Sequence, residues 1–368
     1  MTPIFLYGTL RDAAHLAIVS GQTVPARPAR LHDHAVFCAG DTPYPRIGRA
    51  AGAVADGLLI EASDAVARLD FYEGGYGYAL RTVEVETAEG PVAARVYWPG
   101  EDVPAPGAPW SLTDWQSRDG PLTRRAAQEA MSYFGEITAT ELAARMPMIR
   151  TRAHAALLAS ESRPPAALAP WPSAEVEVVQ ERRPYSKFFS LREDDLRIPR
   201  FDGTLSAPLN RAGLVAADAV VVLPYDPVRD RVHVIEQFRM GPYFRGDPNR
   251  FLIEVVAGRI DAGESPEAAA HREAREEGGL EVHSLHEVAR CYPCPGILTE
   301  YLYLYVGIVD LPDGIGGLGG LATEGEDIRS SGIDYAQFEA LLDTGGLNTG
   351  PLMIIGHWLA RHRDRLRG

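Results

Sequence analysis

Cysteine is scarce: the 368 residues hold three, Cys38, Cys291 and Cys294. Three thiols cannot build a disulfide framework, which points to a reducing compartment. Cys291 and Cys294 form a CxxC pair, but no second cysteine pair or nearby histidine pair completes a zinc site. They read as ordinary residues of a strand and its turn. Positive charge is also in short supply. Against 50 Asp and Glu stand 36 Lys and Arg, for a formal charge of -14. That balance disfavours a nucleic-acid backbone or an anionic membrane as partner. Phosphate ligands stay compatible where local arginines or a metal reverse the field. Long apolar runs are missing too: no stretch reaches membrane-spanning length, and no basic segment with an apolar run opens the chain. A cytoplasmic location is the expectation. No internal repeat is found. What is present, 46% hydrophobic residues and a length comfortable for two domains, allows ordinary cores.

In chain order, residues 4–10 read as an apolar strand entering a glycine turn, and a helix-like stretch begins at Arg11. Residues 55–61 read as a second strand and 63–71 as a short helix. Two further strands, 80–86 and 92–98, join at a turn around Glu89 and Gly90. Across 110–160 apolar residues fall at helical spacings, with Gly135 and Pro147 expected to interrupt the run. Residues 161–174 are rich in Pro and Ala and predict a semi-rigid linker. The expected organisation is a first domain over 1–110, a helical connector over 111–160, the linker over 161–174 and a second domain over 175–368. In that second domain strands are predicted at 176–181, 219–224, 232–238, 251–257, 287–292 and 302–309. A Gly-rich loop over 314–320 and a last helix over 351–363 complete it.

Residues 258–280, GRIDAGESPEAAAHREAREEGGL, carry the densest chemical signal. Ser265 can cap a helix, Pro266 suits its first turn, and Glu267 complements the dipole there. Gly278 and Gly279 end it. Glu273 and Glu277 are four apart and share a face, with Glu276 beside them. Carboxylates this close repel one another unless a cation sits between them, and hard oxygen donors suit Mg²⁺ or Mn²⁺. The competing reading is a solvated helix with i,i+4 pairs such as Arg272 with Glu276. The stretch resembles the Nudix box, G-x5-E-x7-R-E-U-x-E-E-x-G-U, at every fixed position: Gly258, Glu264, Arg272, Glu273, Ala274, Glu276, Glu277, Gly279 and Leu280. The strand-and-helix order around it is similar to that of a Nudix α/β/α sandwich.

Residues outside the box resemble the bacterial ADP-ribose pyrophosphatases of that family. The resemblance implies metal-dependent hydrolysis of ADP-ribose to AMP and ribose 5-phosphate. It implies metal held by the Ala257 carbonyl, Glu273 and Glu277, with Glu276 and Glu326 as further candidates and Mg²⁺ as the ion, Mn²⁺ the alternative. The cation would neutralise phosphate charge and acidify a water, and Glu324 would be the base that orients or deprotonates it. Phe188 and Phe189 match an aromatic that stacks on adenine, Arg239 and Arg259 fall to the substrate, and Glu300 matches a ribose-binding glutamate. Cys294, Pro295 and Gly296 stand where a Ser-Pro-Gly turn is usual. Arg211 aligns with one member of an Arg-Arg-Glu motif whose neighbours are replaced here by Asn210 and Ala212. Glu264 is read as a brace against Arg272. The resemblance also implies a homodimer acting on a small nucleoside diphosphate sugar. Hydrolysis of a GDP-mannose-type sugar, or ADP-ribose sensing without cleavage, are the alternatives, though the intact acidic set argues against a sensor.

The first domain carries two shorter motifs, YGTL at Tyr7, Gly8, Thr9 and Leu10, and LDxxEG over 69–74. These resemble the γ-glutamylcyclotransferase-like (AIG2-like) family, a small β-barrel with helices, over about residues 3–100. The fold class expected for the whole chain is thus α+β in two domains. In that family the YGxL turn supplies backbone donors to a glutamyl group and the glutamate of the second motif is the acid/base. Carried over, Glu73 would take a proton from an α-amine, and burial among Tyr72, Tyr76 and Tyr78 would raise its pKa to suit.

Overall fold

The chain forms two compact units, Met1–Leu157 and Leu158–Gly368. A computed structural model describes residues 3–61, 65–161, 168–320 and 325–368. In the first unit, β1 (Ile4–Leu6), β2 (Ala26–Ala39), β3 (Pro45–Ile60), β4 (Tyr78–Thr87) and β5 (Gly90–Pro99) pair in the order β3-β1-β5-β4-β2. β2 pairs back onto β3, so the ring closes and no edge is left within it. Among the described strands of this unit, β1 against β5 is the parallel pair. β6 (Pro106–Pro109) lies outside the ring on β2. Inward residues follow the two-residue strand period: Ala29 and Leu31, Ala94 and Val96, with Phe5, Tyr7, Ile47, Ala55, Leu59 and Val85 completing the interior.

Around the barrel lie α1 (Ala13–Ser20), α2 (Val66–Glu73), α3 (Leu112–Arg118), α4 (Gly120–Met131) and α5 (Ala139–Glu161). Two expectations are corrected. The strand expected over 55–61 is the end of the sixteen-residue β3, and its partner β2 was not foreseen, because Pro28, His32, Asp33 and His34 break any alternation there. Pro147 does not interrupt the helical run; it lies inside α5. Proline removes one helix bond, but Leu142, Met146, Ile149 and Ala153 bury one stripe at spacings of three and four and hold the helix to its neighbours.

The second unit opens with a three-stranded sheet, β7 (Glu177–Ser186), β8 (Ser190–Arg197) and β9 (Leu209–Val215). The larger sheet is built from β10 (Ala219–Asp226), β11 (Arg231–Phe238), β12 (Phe251–Glu254), β13 (Val256–Arg259), β14 (Ser284–Cys291), β15 (Leu302–Ile308), β16 (Gly316–Gly319) and β17 (Ile328–Asp334). β10 and β11 meet only near their turn, at Tyr225 with Val232 and Asp226 with Arg231. Beyond it they splay, and β13 fills in along β10 while β12 fills in along β11. That splay puts Ala257 and Gly258 beside α7 (Pro266–Gly278). A short α6 (Met240–Arg245) follows β11.

β10 and β15 are parallel and almost wholly buried, so their two faces serve two layers. Val221, Leu223, Tyr225, Leu304 and Val306 pack against α8 (Tyr335–Asp343) and α9 (Gly350–Arg367). Val220, Val222, Tyr303 and Tyr305 pack against Ala269 and Ala270 of α7. The result is an α/β/α sandwich. The Gly-rich stretch expected to be a loop contains β16, an edge strand on β17. Gly316 makes that close pairing feasible: a Cβ there would lie 2.5 Å from the Ser330 carbonyl oxygen, and its φ is +126°. Among the described residues no helix is long and apolar enough to cross a membrane.

Candidate functional site

The cap of α7 forms as its residues dictate. Ser265 Oγ accepts from the Ala268 N–H at 3.1 Å, Pro266 takes the first turn, and Gly279 closes the helix at φ +62°. The helix turns Glu273 and Glu277 inward, where they are 9% and 5% exposed. Ala257 N–H donates to Glu277 Oε2 at 2.9 Å. Arg272 gathers the remaining acids: Nη2 reaches Glu264 Oε2 at 2.8 Å and the Arg259 carbonyl at 2.9 Å. Its Nη1 reaches Glu273 at 2.6 Å and Glu276 at 3.1 Å. The i,i+4 pair of Arg272 with Glu276 exists beside the inward carboxylates. Gly258 is explained by close approach: a Cβ there would fall 1.9 Å from Glu273 Oε1.

Burial pushes Glu277 up to about 8 and Glu273 up to about 6, and the negative field of Glu326 acts on both in the same direction. Among the described residues no three His, Cys, Asp or Glu side chains are drawn together as a metal site. Glu324, the expected base, lies outside the described residues. The donor set still suits a hard cation: two buried carboxylates disfavour their own ionised forms, and a divalent ion between them would relieve that cost.

Arg239 stands in the field of Glu277 and Glu326 and is held by Glu254 through Nε and Nη2, the latter at 2.5 Å. Glu300 is raised by burial, and the charge of Arg239 opposes that rise. Arg239, Glu300, Glu277, Glu273 and Glu326 thus share one electrostatic neighbourhood. Phe188 and Phe189, at the tip of the β7–β8 hairpin, pack edge to face with centroids 4.8 Å apart. The Arg259 guanidinium lies 4.6 Å over the Phe188 ring. Cys294, Pro295 and Gly296 form an exposed turn in which the Cys294 carbonyl accepts from Ile297 and Leu298. Arg211 sits on β9 with Nη1 on the Asn210 carbonyl at 2.8 Å, apart from the acidic group.

In the first unit a cavity of about 540 Å³ is lined by Tyr7, Gly8, Thr9 and Leu10 together with Glu73 and the rings of Tyr44, Tyr72, Tyr76, Tyr78 and Tyr97. Desolvation alone pushes the Glu73 carboxyl up to about 7. Tyr7 donates its hydroxyl to the Tyr97 carbonyl at 2.9 Å, and Tyr97 donates to Asp70 Oδ1 at 2.6 Å. That chain fixes the rings around the carboxyl.

Residues 215–341 match the family model for the NUDIX domain. An ADP-ribose pyrophosphatase of Escherichia coli K12 is 36% identical over 193 residues, 52% of this chain and 91% of that protein. The chain belongs to the Nudix family. An ADP-ribose pyrophosphatase of Haemophilus influenzae is 32% identical over 52% of this chain and 89% of its own. A GDP-mannose pyrophosphatase of Enterobacter sp. strain 638 is 27% identical over 51% and 96%. A solved structure of an ADP compounds hydrolase aligns with TM-score 0.40 and 19% identity, over 53% of this chain and 98% of that one. Residues 4–117 match the γ-glutamyl cyclotransferase, AIG2-like family.

Within the Nudix unit, sequence reasoning missed Glu254 as the partner of Arg239, whose side chain reaches it from beyond the end of β11. Within the AIG2-like unit it missed Tyr44, Tyr97 and Arg150. Only the helical spacing of Arg150 from Ala143 and Met146 could have hinted at a common face.

Proposed function

We propose that the Nudix unit hydrolyses the diphosphate bond of ADP-ribose, giving AMP and ribose 5-phosphate. The observation that carries this reading is the pair of buried carboxylates, Glu273 and Glu277, set against the Ala257–Gly258 strand, with Arg239 in the field of Glu277 and Glu300 in that of Arg239. Mg²⁺, or Mn²⁺ in its place, would be held by Glu273, Glu277, the Ala257 carbonyl and Glu326. Bound there, it supplies phosphate charge neutralisation and an acidified water. The chain's own groups do the rest. Arg239 and Arg259 face phosphate oxygens, Phe188 and Phe189 offer π-faces to the adenine, and Glu300 accepts from ribose hydroxyls. Residues 294–296 form a rim, Arg211 approaches from β9, and Glu324 is assigned the base. ADP-ribose is favoured over GDP-mannose because the relatives named for ADP-ribose are the more similar, 36% against 27% identity. The active form is taken to be a cytoplasmic homodimer, supported by Val178, Val179 and Tyr185 standing exposed on the three-stranded sheet.

The deciding experiment is product analysis on ADP-ribose and GDP-mannose with Mg²⁺, for wild type, Glu277→Gln and Glu73→Gln. AMP and ribose 5-phosphate are expected from wild type. Glu277→Gln should lose about 100-fold or more in kcat/KM, and excess chelator should abolish turnover. Glu73→Gln should retain it. Equal or better turnover of GDP-mannose defeats the substrate choice, and tight binding without cleavage favours a sensor.

A second reading applies to the AIG2-like unit, where Glu73 sits half-buried in a tyrosine-walled cavity. There Glu73 would take the α-ammonium proton of a γ-glutamyl amine. The freed nitrogen bonds to the γ-carbonyl carbon, and the bond to the departing amine breaks as Glu73 returns the proton to it. The second proton, shed by the ring nitrogen, passes by way of Glu73 to that amine, which leaves as the ammonium beside 5-oxoproline.

A further inference from the structure

The cavity wall opposite the barrel comes from helices beyond the matched AIG2-like segment, which ends at residue 117. α4 supplies Thr123 and Ala126, and α5 supplies Ala143, Met146, Pro147 and Arg150. The α5 residues recur at helical spacing and share one face. Helix and catalytic loop are pressed together at Gly75. A Cβ on that residue would lie 2.2 Å from the Ala139 carbonyl oxygen and 2.7 Å from the Ala143 Cβ. The turn carrying Glu73 therefore sets where α5, and with it Arg150, can sit.

Arg150 differs from its neighbour on the helix. Arg152 is buried and ion-paired with Glu129 at 2.5 Å. Arg150 makes no ion pair or hydrogen bond among the described residues; its guanidinium lies 5.5 Å from the centroid of the Tyr44 ring. Three charged side chains line the cavity: Glu73, Asp102 and Arg150. Asp102 is exposed at the edge, where solvent screens it. Arg150 and Glu73 share the space without pairing with each other. Glu73 acts on the buried rings of Tyr7 and Tyr97, where Arg150 does not; Arg150 acts on Tyr44, 38% exposed, where Glu73 does not; both reach Tyr72 and Tyr76. The carboxyl thus marks the inner end and the guanidinium the mouth. A half-buried, unpaired guanidinium is a ready fork for a carboxylate.

We propose that Arg150 is a specificity-determining residue of this cavity, holding a carboxylate at the end of the ligand remote from Glu73. It rests on the second reading above, and it adds that the departing amine carries that carboxylate. A neutral amine would leave the guanidinium without an anion.

The test uses the full-length protein with two probes, γ-glutamyl-alanine and γ-glutamyl-ethylamine, which differ at the far end by the carboxylate. Release of 5-oxoproline gives kcat/KM, and calorimetry gives binding. Wild type should prefer γ-glutamyl-alanine by about tenfold or more. Arg150→Gln should bring the ratio close to one, mainly by raising KM for γ-glutamyl-alanine, and Arg150→Lys should recover part of it. Thermal melts verify that each variant is folded. An unchanged ratio in Arg150→Gln, or no preference in wild type, overturns the assignment. Preferential binding of γ-glutamyl-alanine, lost in Arg150→Gln but with no 5-oxoproline from any form, defeats the cyclotransferase reading and upholds the role of Arg150. Absence of binding by either probe overturns both.

Discussion

Glu73 and Glu277 show how one side-chain type is shifted in different ways by its surroundings. Glu277 takes a backbone N–H and sits among other acids, a setting made for a cation. Glu73 is raised by desolvation alone, a setting made for exchanging a proton near neutral pH. The shift also has a sign for stability. In the unfolded chain Glu73 titrates near 4.5, and in the fold at about 7. Below the lower value both states hold the proton and the group is neutral in effect. As pH rises towards 7 the unfolded state releases its proton first, so stability falls, and the loss is complete above the folded value. One unit is worth about 1.4 kcal/mol. Partial solvent access at Glu73 reduces the total to on the order of 2 kcal/mol. Glu73→Gln should therefore melt higher than wild type at pH 8 and level with it at pH 4. Equal shifts at both pH values would contradict the burial argument. The same substitution should abolish 5-oxoproline release.

At the level of elements, two glycines do different work. Gly258 lets β13 pass within reach of α7, and the atom a methyl would meet there is the free end of Glu273. Such an end can swing aside at small cost to the fold, but only by leaving Arg272 and its place beside Glu277. Gly258→Ala should thus lose more than about tenfold in ADP-ribose turnover with a stability change below about 1 kcal/mol. Gly75 faces backbone of α5, which cannot swing aside. Gly75→Ala should cost about 1–3 kcal/mol, read by thermal or denaturant unfolding. If Gly258→Ala were the more destabilising of the two, the distinction would be wrong. The α7 cap, strands β10, β11 and β15 and the last helix could be read from period and capping residues. β2, β8, β9 and β17 could not, because their outward residues face solvent or polar partners and blur the alternation.

For the molecule as a whole, two units with separate cores carry two sets of chemistry-bearing residues. A homodimer would appear in light scattering at twice the 40.0 kDa chain mass. Replacing Val178 and Val179 with Ser should shift it towards the monomer if the three-stranded sheet takes part, and a monomeric wild type at micromolar concentration would rule the dimer out.

The linear order of residues was enough to mark the acidic helix, its cap, its glycines and the YGTL and EG motifs, because these rest on local spacing that any helix or tight turn must obey. It also carried the division into a barrel-type and a sandwich-type half. Partners distant in the chain were decided only by the folded arrangement: Glu254 for Arg239, Arg150 across from Glu73, and an edge strand where glycines suggested a loop. Those pairings depend on strand register and on how closely helices approach, and both follow from burial of side chains that are neighbours in space and not in sequence.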